Sequence, residues 1–329
     1  MPMIRFGVIG TADIARRSFA PVLTTSDETV LVAVASRTQE KADVFASQFG
    51  CEGIEGYRNL LKRPDIDAVY IATPTGLHAE WAIAAARAGK HILCEKTLAR
   101  NVYETQAILQ TCREENVAIM EGFAYQFHPQ HRALDEWVTA DKIGEAVQLQ
   151  AWFGFPPIDS PHRYTPELGG GALLDAGTYT VHVARRFFKS EPINVSSVLD
   201  SEGESVDIRG SALLDFGAQR TALLSFGFNN MYRNEYTVWG TTGLITIARA
   251  FSIPPTMSAT LVLNRQDEHV ERKLDPFDHF RGELDHFCAG FLSEAKRSHW
   301  RQDALHQAIT LEAIRQSSAG RTTIRPSFP

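Results

Sequence analysis

Apolar runs alternate with longer segments whose apolar positions recur every three to four residues, and this rhythm holds over the first 122 residues. "IRFGVIG" (4–10), "TVLVAVAS" (29–36), "DAVYIAT" (67–73), "HILCE" (91–95) and "VAIMEGF" (117–123) read as strands. Residues 12–23, 38–50, 77–90 and 102–116 between them read as helices, two of which stop at Gly50 and Gly89. Glycine is the usual residue just past a helix end. Strands that are apolar throughout are buried on both faces. Separated by helices, they form parallel pairs. Residues 1–122 are therefore expected to form a doubly wound, Rossmann-type α/β domain.

After residue 123 the texture changes. Residues 127–140 and 171–188 read as helices, and "AVQLQAWFGF" (146–155) as a strand ended by Pro156 and Pro157. Between 193 and 275 lie five or more strand-like runs, among them "ALLDFG" (212–217), "TALLSFGF" (221–228), "EYTVWG" (235–240), "LITIA" (244–248) and "ATLVLN" (259–264). Residues 278–296 and 302–318 read as helices. Consecutive strands joined by short turns predict an open, mainly antiparallel sheet, hence an α+β domain over 123–329.

Composition narrows the function classes. The 329 residues are 44% hydrophobic and 22% charged, with a net charge of −6, which is ordinary for a globular chain of two domains. There is no basic stripe for nucleic acid and no apolar run of the ~18 residues a membrane span needs. "MPMIRFGVIG" enters a strand at once, without the segments of a secretory leader. Cys51, Cys94, Cys112 and Cys288 form no CxxC, which fits reduced thiols in a cytoplasmic protein. His128 and His131 form an HxxH without an acid or cysteine at ligand spacing, so no metal is expected.

The candidate chemistry gathers at strand ends. "GVIGTADIA" sits at a strand–turn–helix junction, with small residues Gly10, Ala12 and Ala15 at the G-x-G-x-x-G/A positions. Ala12 departs from the second glycine. Gly10, Thr11, Ala12, Asp13 and Ile14 form the expected dinucleotide turn, where backbone amides and the helix dipole favour a diphosphate. At the end of the second strand stand Ser36 and Arg37, where an NAD-binding protein usually carries an acid. An arginine there suits a 2′-phosphate, so NADP(H) is expected over NAD. Thr73, Pro74 and His78 follow the third strand, and Glu95 and Lys96 close the fourth. In "LGGGALLDAGTYTVH" (168–182), Asp175 and Tyr179 are spaced i, i+4 on one helix face. A carboxylate among leucines and alanines is expensive to bury unless paired. Either Asp175 has a structural partner or the site uses it.

These motifs, with "VASRTQEKA", "DAVYIATPTGLHAEWAIAAARAGKHILCEKTLA" and "GGGALLDAGTYTVH", make the chain resemble the glucose–fructose oxidoreductase/inositol dehydrogenase (GFO/IDH/MocA) family over essentially its whole length. The resemblance implies a Rossmann domain followed by a domain whose open sheet often joins subunits, hence a homodimer or homotetramer. It places the family's EKP lysine at Lys96, with Thr97 in place of the proline, and the helix acid at Asp175. The acid/base residue four positions on, histidine in inositol-type members, is Tyr179 here. His182 does not match that histidine by position and is expected to pack. Gly169–Gly171 would let the chain turn tightly into the helix.

The segment "FGFPPIDSPHRYTPELGGGALLDAGTY" is most similar to nucleotide-sugar ketoreductases of deoxysugar biosynthesis, which reduce the C-3 carbonyl of an activated 4-keto-6-deoxyhexose. In that scheme Tyr179 donates the proton, Lys96 polarises the carbonyl and lowers the tyrosine pKa, and Asp175 holds a sugar hydroxyl or orients Lys96. Phe123, Tyr125, His128, Arg163 and Tyr164 are the substrate candidates, Arg163 toward a diphosphate or in a surface ion pair. Two other readings stand beside it: an NADP-dependent dehydrogenase of free aldoses or dihydrodiols, and a non-enzymatic NADP-binding sensor.

Overall fold

The structure, a computed structural model, describes residues 3–329. The chain forms two compact units: residues up to Phe123 with Phe280–Leu305, and Ala124–His279 with His306–Pro329. The simple division at 122/123 therefore needs a correction, because residues 280–305, expected in the second domain, pack with the first unit.

The first unit runs β1 (Ile4–Ile9), α1 (Ala20–Thr25), β2 (Thr29–Ser36), α2 (Gln39–Phe49), β3 (Glu52–Glu55), α3 (Tyr57–Leu61), β4 (Ala68–Ile71), α4 (Thr75–Arg87), β5 (His91–Glu95), α5 (Val102–Glu114) and β6 (Ile119–Gly122). Its strands pair in parallel in the order β3-β2-β1-β4-β5-β6. That order reverses between β1 and β4, so a crevice opens beyond their carboxyl ends, where such sheets bind ligands. Local chemistry sets the helix ends. The Thr38 side chain accepts the Lys41 N–H at the start of α2, and Gly50 takes a left-handed φ of 67° at its end. Asn101 accepts the Glu104 N–H at the start of α5. The expected helix 12–23 is present, but its middle, Ala15–Phe19, is wound as a π-turn.

Apolar side chains leave both faces of this sheet. Ile9, Val69, Ile71 and Ile92 pack toward Ile108 on one side. Phe6, Val8, Tyr70 and Leu93 pack toward Phe19, Leu284 and Phe287 on the other. Short polar β3 ("EGIE") and α3 carry too little pattern to be read in advance.

The second unit begins with α6 (Pro129–Thr139), β7 (Ala146–Gly154), a π-turn at Leu173–Gly177 and α7 (Thr178–Phe188). Then follow β8 (Asn194–Asp200), β9 (Arg209–Asp215), β10 (Thr221–Gly227), β11 (Arg233–Gly240), β12 (Gly243–Ala248), β13 (Ala259–Arg265) and β14 (Glu268–Leu274). They form one sheet ordered β14-β13-β12-β11-β7-β10-β9-β8. Its pairs are antiparallel except β7 with β10. Sheet-facing residues alternate in β9 and β10, with Ala212, Leu214, Ala222, Leu224 and Phe226 buried. The other face shows Val198, Leu213, Leu223 and Trp239 to solvent. The chain closes with α8 (His279–Cys288) and α9 (Glu294–Gly320). The helix expected over 278–296 thus ends early, and 302–318 belongs to one longer helix. No helix among the described residues is long and apolar enough to cross a membrane.

Candidate functional site

At the end of β1, Gly10 has φ +98°, and a Cβ there would stand 3.0 Å from the Ala72 carbonyl oxygen. Only glycine fits that backbone approach without displacing β4. The Gly10 N–H donates to the Ala35 carbonyl at 3.0 Å, and Thr11 Oγ1 lies 3.4 Å from Ser36 Oγ. The turn after β1 and the end of β2 therefore lie side by side. Ala12 packs on the apolar core rather than opening a second glycine gap. Asp13 is exposed and pairs with Arg16 and, at 3.5 Å, with Arg17. The Arg16 hydrogen bond holds its carboxyl below the usual range, so Asp13 serves its own helix. Ile14 keeps part of its apolar surface exposed. Arg37 is exposed just beyond buried Ser36.

Thr73 follows β4 with its Oγ1 buried and without a hydrogen-bond partner among the described residues. A buried orphan hydroxyl and a backbone cradle that a Cβ would close are the features a bound dinucleotide uses, and both lie at the carboxyl edge of the sheet. The residues present fit such a cofactor. Pro74 is half-buried immediately before α4. His78 requires a correction. It is 1% exposed, and its ring nitrogens face the Thr97 carbonyl at 2.9 Å and the Thr73 carbonyl at 2.7 Å. It ties the end of β4 to the turn after β5 and offers no nitrogen to a cofactor. Burial lowers its pKa.

The turn carrying Lys96 is built from below. Glu95 accepts a hydrogen bond from the Tyr70 hydroxyl. Glu121, buried on β6, accepts the Leu98 N–H at 2.9 Å. Lys96 is half-buried, and its peptide bond to Thr97 is cis. A further acid enters from α8: Glu283 is 0% exposed, and neither carboxyl oxygen has a partner among the described residues. Its Oε1 lies 3.4 Å from where a Gly122 Cβ would be. Burial, and then the charge of Glu95, push its pKa well up. Tyr70, Glu121 and Glu283 are absent from the sequence-level site. The available signal was an acid on the apolar stripe of "FRGELDHF" and another inside the strand "VAIMEGF".

In the second unit, Gly169 and Gly171 take φ +76° and +117°, making the tight turn. The Gly171 N–H donates to the Arg163 carbonyl at 2.9 Å. Arg163 Nε in turn grips Asp175 Oδ2 at 2.5 Å, with its guanidinium 5.6 Å from the Phe155 ring centroid. Asp175 thus has a structural partner, and the reading of Arg163 toward a diphosphate is corrected to an ion pair with Asp175. Both side chains are about one-quarter exposed. Across residues 171–185, Asp175 and Tyr179 alone are not buried. Tyr179 sits in an aromatic wall, 5.1 Å from Phe153 and 5.7 Å from Tyr125 and Phe251 by ring centroids.

The remaining substrate candidates divide. Tyr125 is buried and shares a 2.6 Å hydrogen bond with His182 Nδ1; buried His182 thus packs as a support. Phe123 is buried as well. His128 is corrected to a structural role: it is buried, its Nδ1 accepts the Gln130 N–H at 3.2 Å to cap α6, and burial lowers its pKa to about 4. His131 faces the Tyr236 hydroxyl and the Ala250 carbonyl. Tyr164 stays partly exposed, its ring 5.7 Å from Phe228.

Comparison with known proteins bears on this arrangement. Residues 4–123 match the oxidoreductase family with an NAD-binding Rossmann fold (GFO/IDH/MocA), and residues 131–246 match the GFO/IDH/MocA C-terminal domain. The chain is 38% identical over 314 residues to the dTDP-3,4-didehydro-2,6-dideoxy-alpha-D-glucose 3-reductase of Actinomadura kijaniata, spanning 95% of each. It is 33% identical over 316 residues to D-xylose 1-dehydrogenase (NADP(+)) 2 of Haloferax volcanii, spanning 95% of this chain and 97% of the relative. A crystal structure of a 3-ketoreductase from Actinomadura kijaniata with NADP and TDP-benzene superposes with a TM-score of 0.92 at 38% identity, over 96% of this chain and 98% of that one.

Proposed function

The chain belongs to the GFO/IDH/MocA oxidoreductase family, and on that premise we propose that it is an NADP(H)-dependent ketoreductase acting at C-3 of a dTDP-activated 4-keto-6-deoxyhexose. The observation that carries the assignment of the reacting groups is the selective exposure of Asp175 and Tyr179 in an otherwise buried segment. NADPH, when bound, supplies a hydride. Gly10, Thr11, Ser36 and Thr73 would hold it, with Ile14 offering an apolar surface and Arg37 a charge for the 2′-phosphate. Tyr179 Oη gives the proton that the developing alkoxide needs. A free phenol, with a pKa near 10, gives up that proton slowly at neutral pH, and a lysine ammonium stabilises the tyrosinate left behind. Lys96 takes that role and polarises the carbonyl. Asp175, held by Arg163, orients a sugar hydroxyl. A second copy of the chain covers the apolar sheet face at Val198, Leu213, Leu223 and Trp239. The four free thiols suit a cytoplasmic setting.

Two measurements test the proposal. Tyr179→Phe is expected to lower turnover about 10²–10⁴-fold with NADPH affinity unchanged within about twofold; undiminished turnover would remove Tyr179 from the reaction. In thermal shift, NADPH should raise the melting temperature, and dTDP should raise it further. Stabilisation by NADPH with none from dTDP, UDP, CDP or GDP would favour a free sugar as substrate, as the name of the Haloferax volcanii relative indicates for that enzyme.

A further inference from the structure

The turn that carries Asp175 is gripped from two sides. Arg163 holds it through its carbonyl and its guanidinium. The opposite grip is Asp207, in the connection between β8 and β9. Its carbonyl accepts the Ala172 N–H at 2.7 Å, and its Oδ2 accepts the Leu173 N–H at 2.6 Å. The first amides of a helix have no partner within the helix, and Asp207 satisfies two of them from outside. A carboxylate there also meets the positive end of the helix dipole. The fit is close: a Cβ on Gly171 would lie 2.4 Å from Asp207 Oδ1. The third glycine of the run is therefore the space the carboxylate occupies.

We propose that Asp207 is a positioning residue for Asp175 and Tyr179, anchoring the π-turn at Leu173–Gly177 so that both side chains keep their outward register. The consequence for catalysis rests on the assignment of Tyr179 as proton donor. A displacement of about 1 Å at a reacting group costs up to about 10²-fold in rate. Loss of this anchor should accordingly act on turnover rather than on cofactor affinity.

The test compares Asp207→Ala, Asp207→Asn and Tyr179→Phe in the full chain, by steady-state kinetics and by amide hydrogen exchange over residues 171–177. Asp207→Ala is expected to lower kcat about 10- to 100-fold, to leave the KM for NADPH within about twofold, and to speed exchange at Leu173, whose acceptor it removes. Asp207→Asn keeps an acceptor oxygen for Leu173 and should return kcat to within about threefold of wild type. Wild-type kcat in Asp207→Ala alongside an inactive Tyr179→Phe overturns the proposal, and so does an asparagine variant as impaired as alanine. If Tyr179→Phe is fully active, the assignment of Tyr179 fails instead; exchange then decides, and unchanged protection in Asp207→Ala overturns the anchor. Should the alanine variant not fold, the asparagine variant carries both readouts: wild-type protection and kcat support the anchor, and loss of both overturns it.

Discussion

Arg37 follows the last residue of β2 and stands exposed, one position beyond buried Ser36. Its charge reaches the half-buried Tyr57 hydroxyl, opposing the rise in pKa that burial imposes there. A hydrogen bond to a charged group contributes about 1.5–3 kcal/mol. Screening at an exposed guanidinium favours the lower end, and about 1.4 kcal/mol corresponds to one decade in affinity. Arg37→Ala should therefore weaken NADPH binding roughly 10-fold, while NADH, which lacks the 2′-phosphate, changes by less than about twofold. Fluorescence titration of both cofactors, for wild type and variant at low and high salt, reads this directly. The NADPH preference should also shrink in wild type at high salt, because exposed charges are screened. Equal weakening of both cofactors, or an NADPH preference indifferent to salt, would refute the assignment of Arg37.

Other expectations concern stability. Gly171→Ala and Gly203→Ala both force alanine to a positive φ, +117° and +88°, but nothing lies within 4 Å of a Cβ at Gly203. The shared backbone cost is about 1–2 kcal/mol, and displacing the Asp207 cap should add about 0.5–2 kcal/mol at Gly171 alone; denaturant midpoints that fall equally would disprove the contact. Glu283, raised well above its ordinary pKa by burial, keeps its proton to higher pH in the fold than in the unfolded chain, where the ordinary value is 4.5. Its effect on stability is therefore most favourable below that pH and is lost as pH rises through the folded pKa. Glu283→Gln should gain stability over wild type progressively from pH 4.5 upward, and a pH-independent difference in melting temperature would exclude a titrating Glu283. His91, His128 and His279 are each lowered to about 4 by burial, against about 6.5 unfolded. Stability should hold above pH 6.5 and fall as pH drops toward 4, as acid unfolding would show.

The strands of the first unit were legible because each is a short apolar run between helix patterns. Its edge was not: β3 has only four residues, half of them acidic. In the second unit β14, "EHVERKL", is a charged edge strand, and charges that keep an edge from pairing also erase the strand pattern. Periodicity over five residues does not separate a π-turn from an α-helix, so Leu173–Gly177 read as plain helix. Gly10, Ser36 and Glu95 could be placed at strand ends and Tyr179 on a helix, because strand ends and helix spacing follow from pattern. Partners that cross irregular chain could not: Arg163 reaches Asp175 over 12 residues, and Asp207 reaches Leu173 over 34. His78 and His128 misled for the opposite reason. A histidine beside a strand end looks chemical, yet both ring nitrogens of His78 face backbone carbonyls and His128 turns its Nδ1 to the first turn of α6.

The apolar face completed by Leu284, Phe287 and Trp300 belongs to a sheet whose strands end at Gly122. In order of synthesis, every strand of the first unit is made before α8, which covers Phe6 and its neighbours. Residues 124–279 are thus an insertion within the chain of the first unit. A fragment ending at Phe123 would contain the whole sheet and still be an unfinished protein, with one greasy surface waiting for a segment more than 150 residues downstream. Dissecting this chain at its apparent boundary would not yield two proteins; the first unit would have to be rebuilt by joining residues 3–123 directly to 280–305.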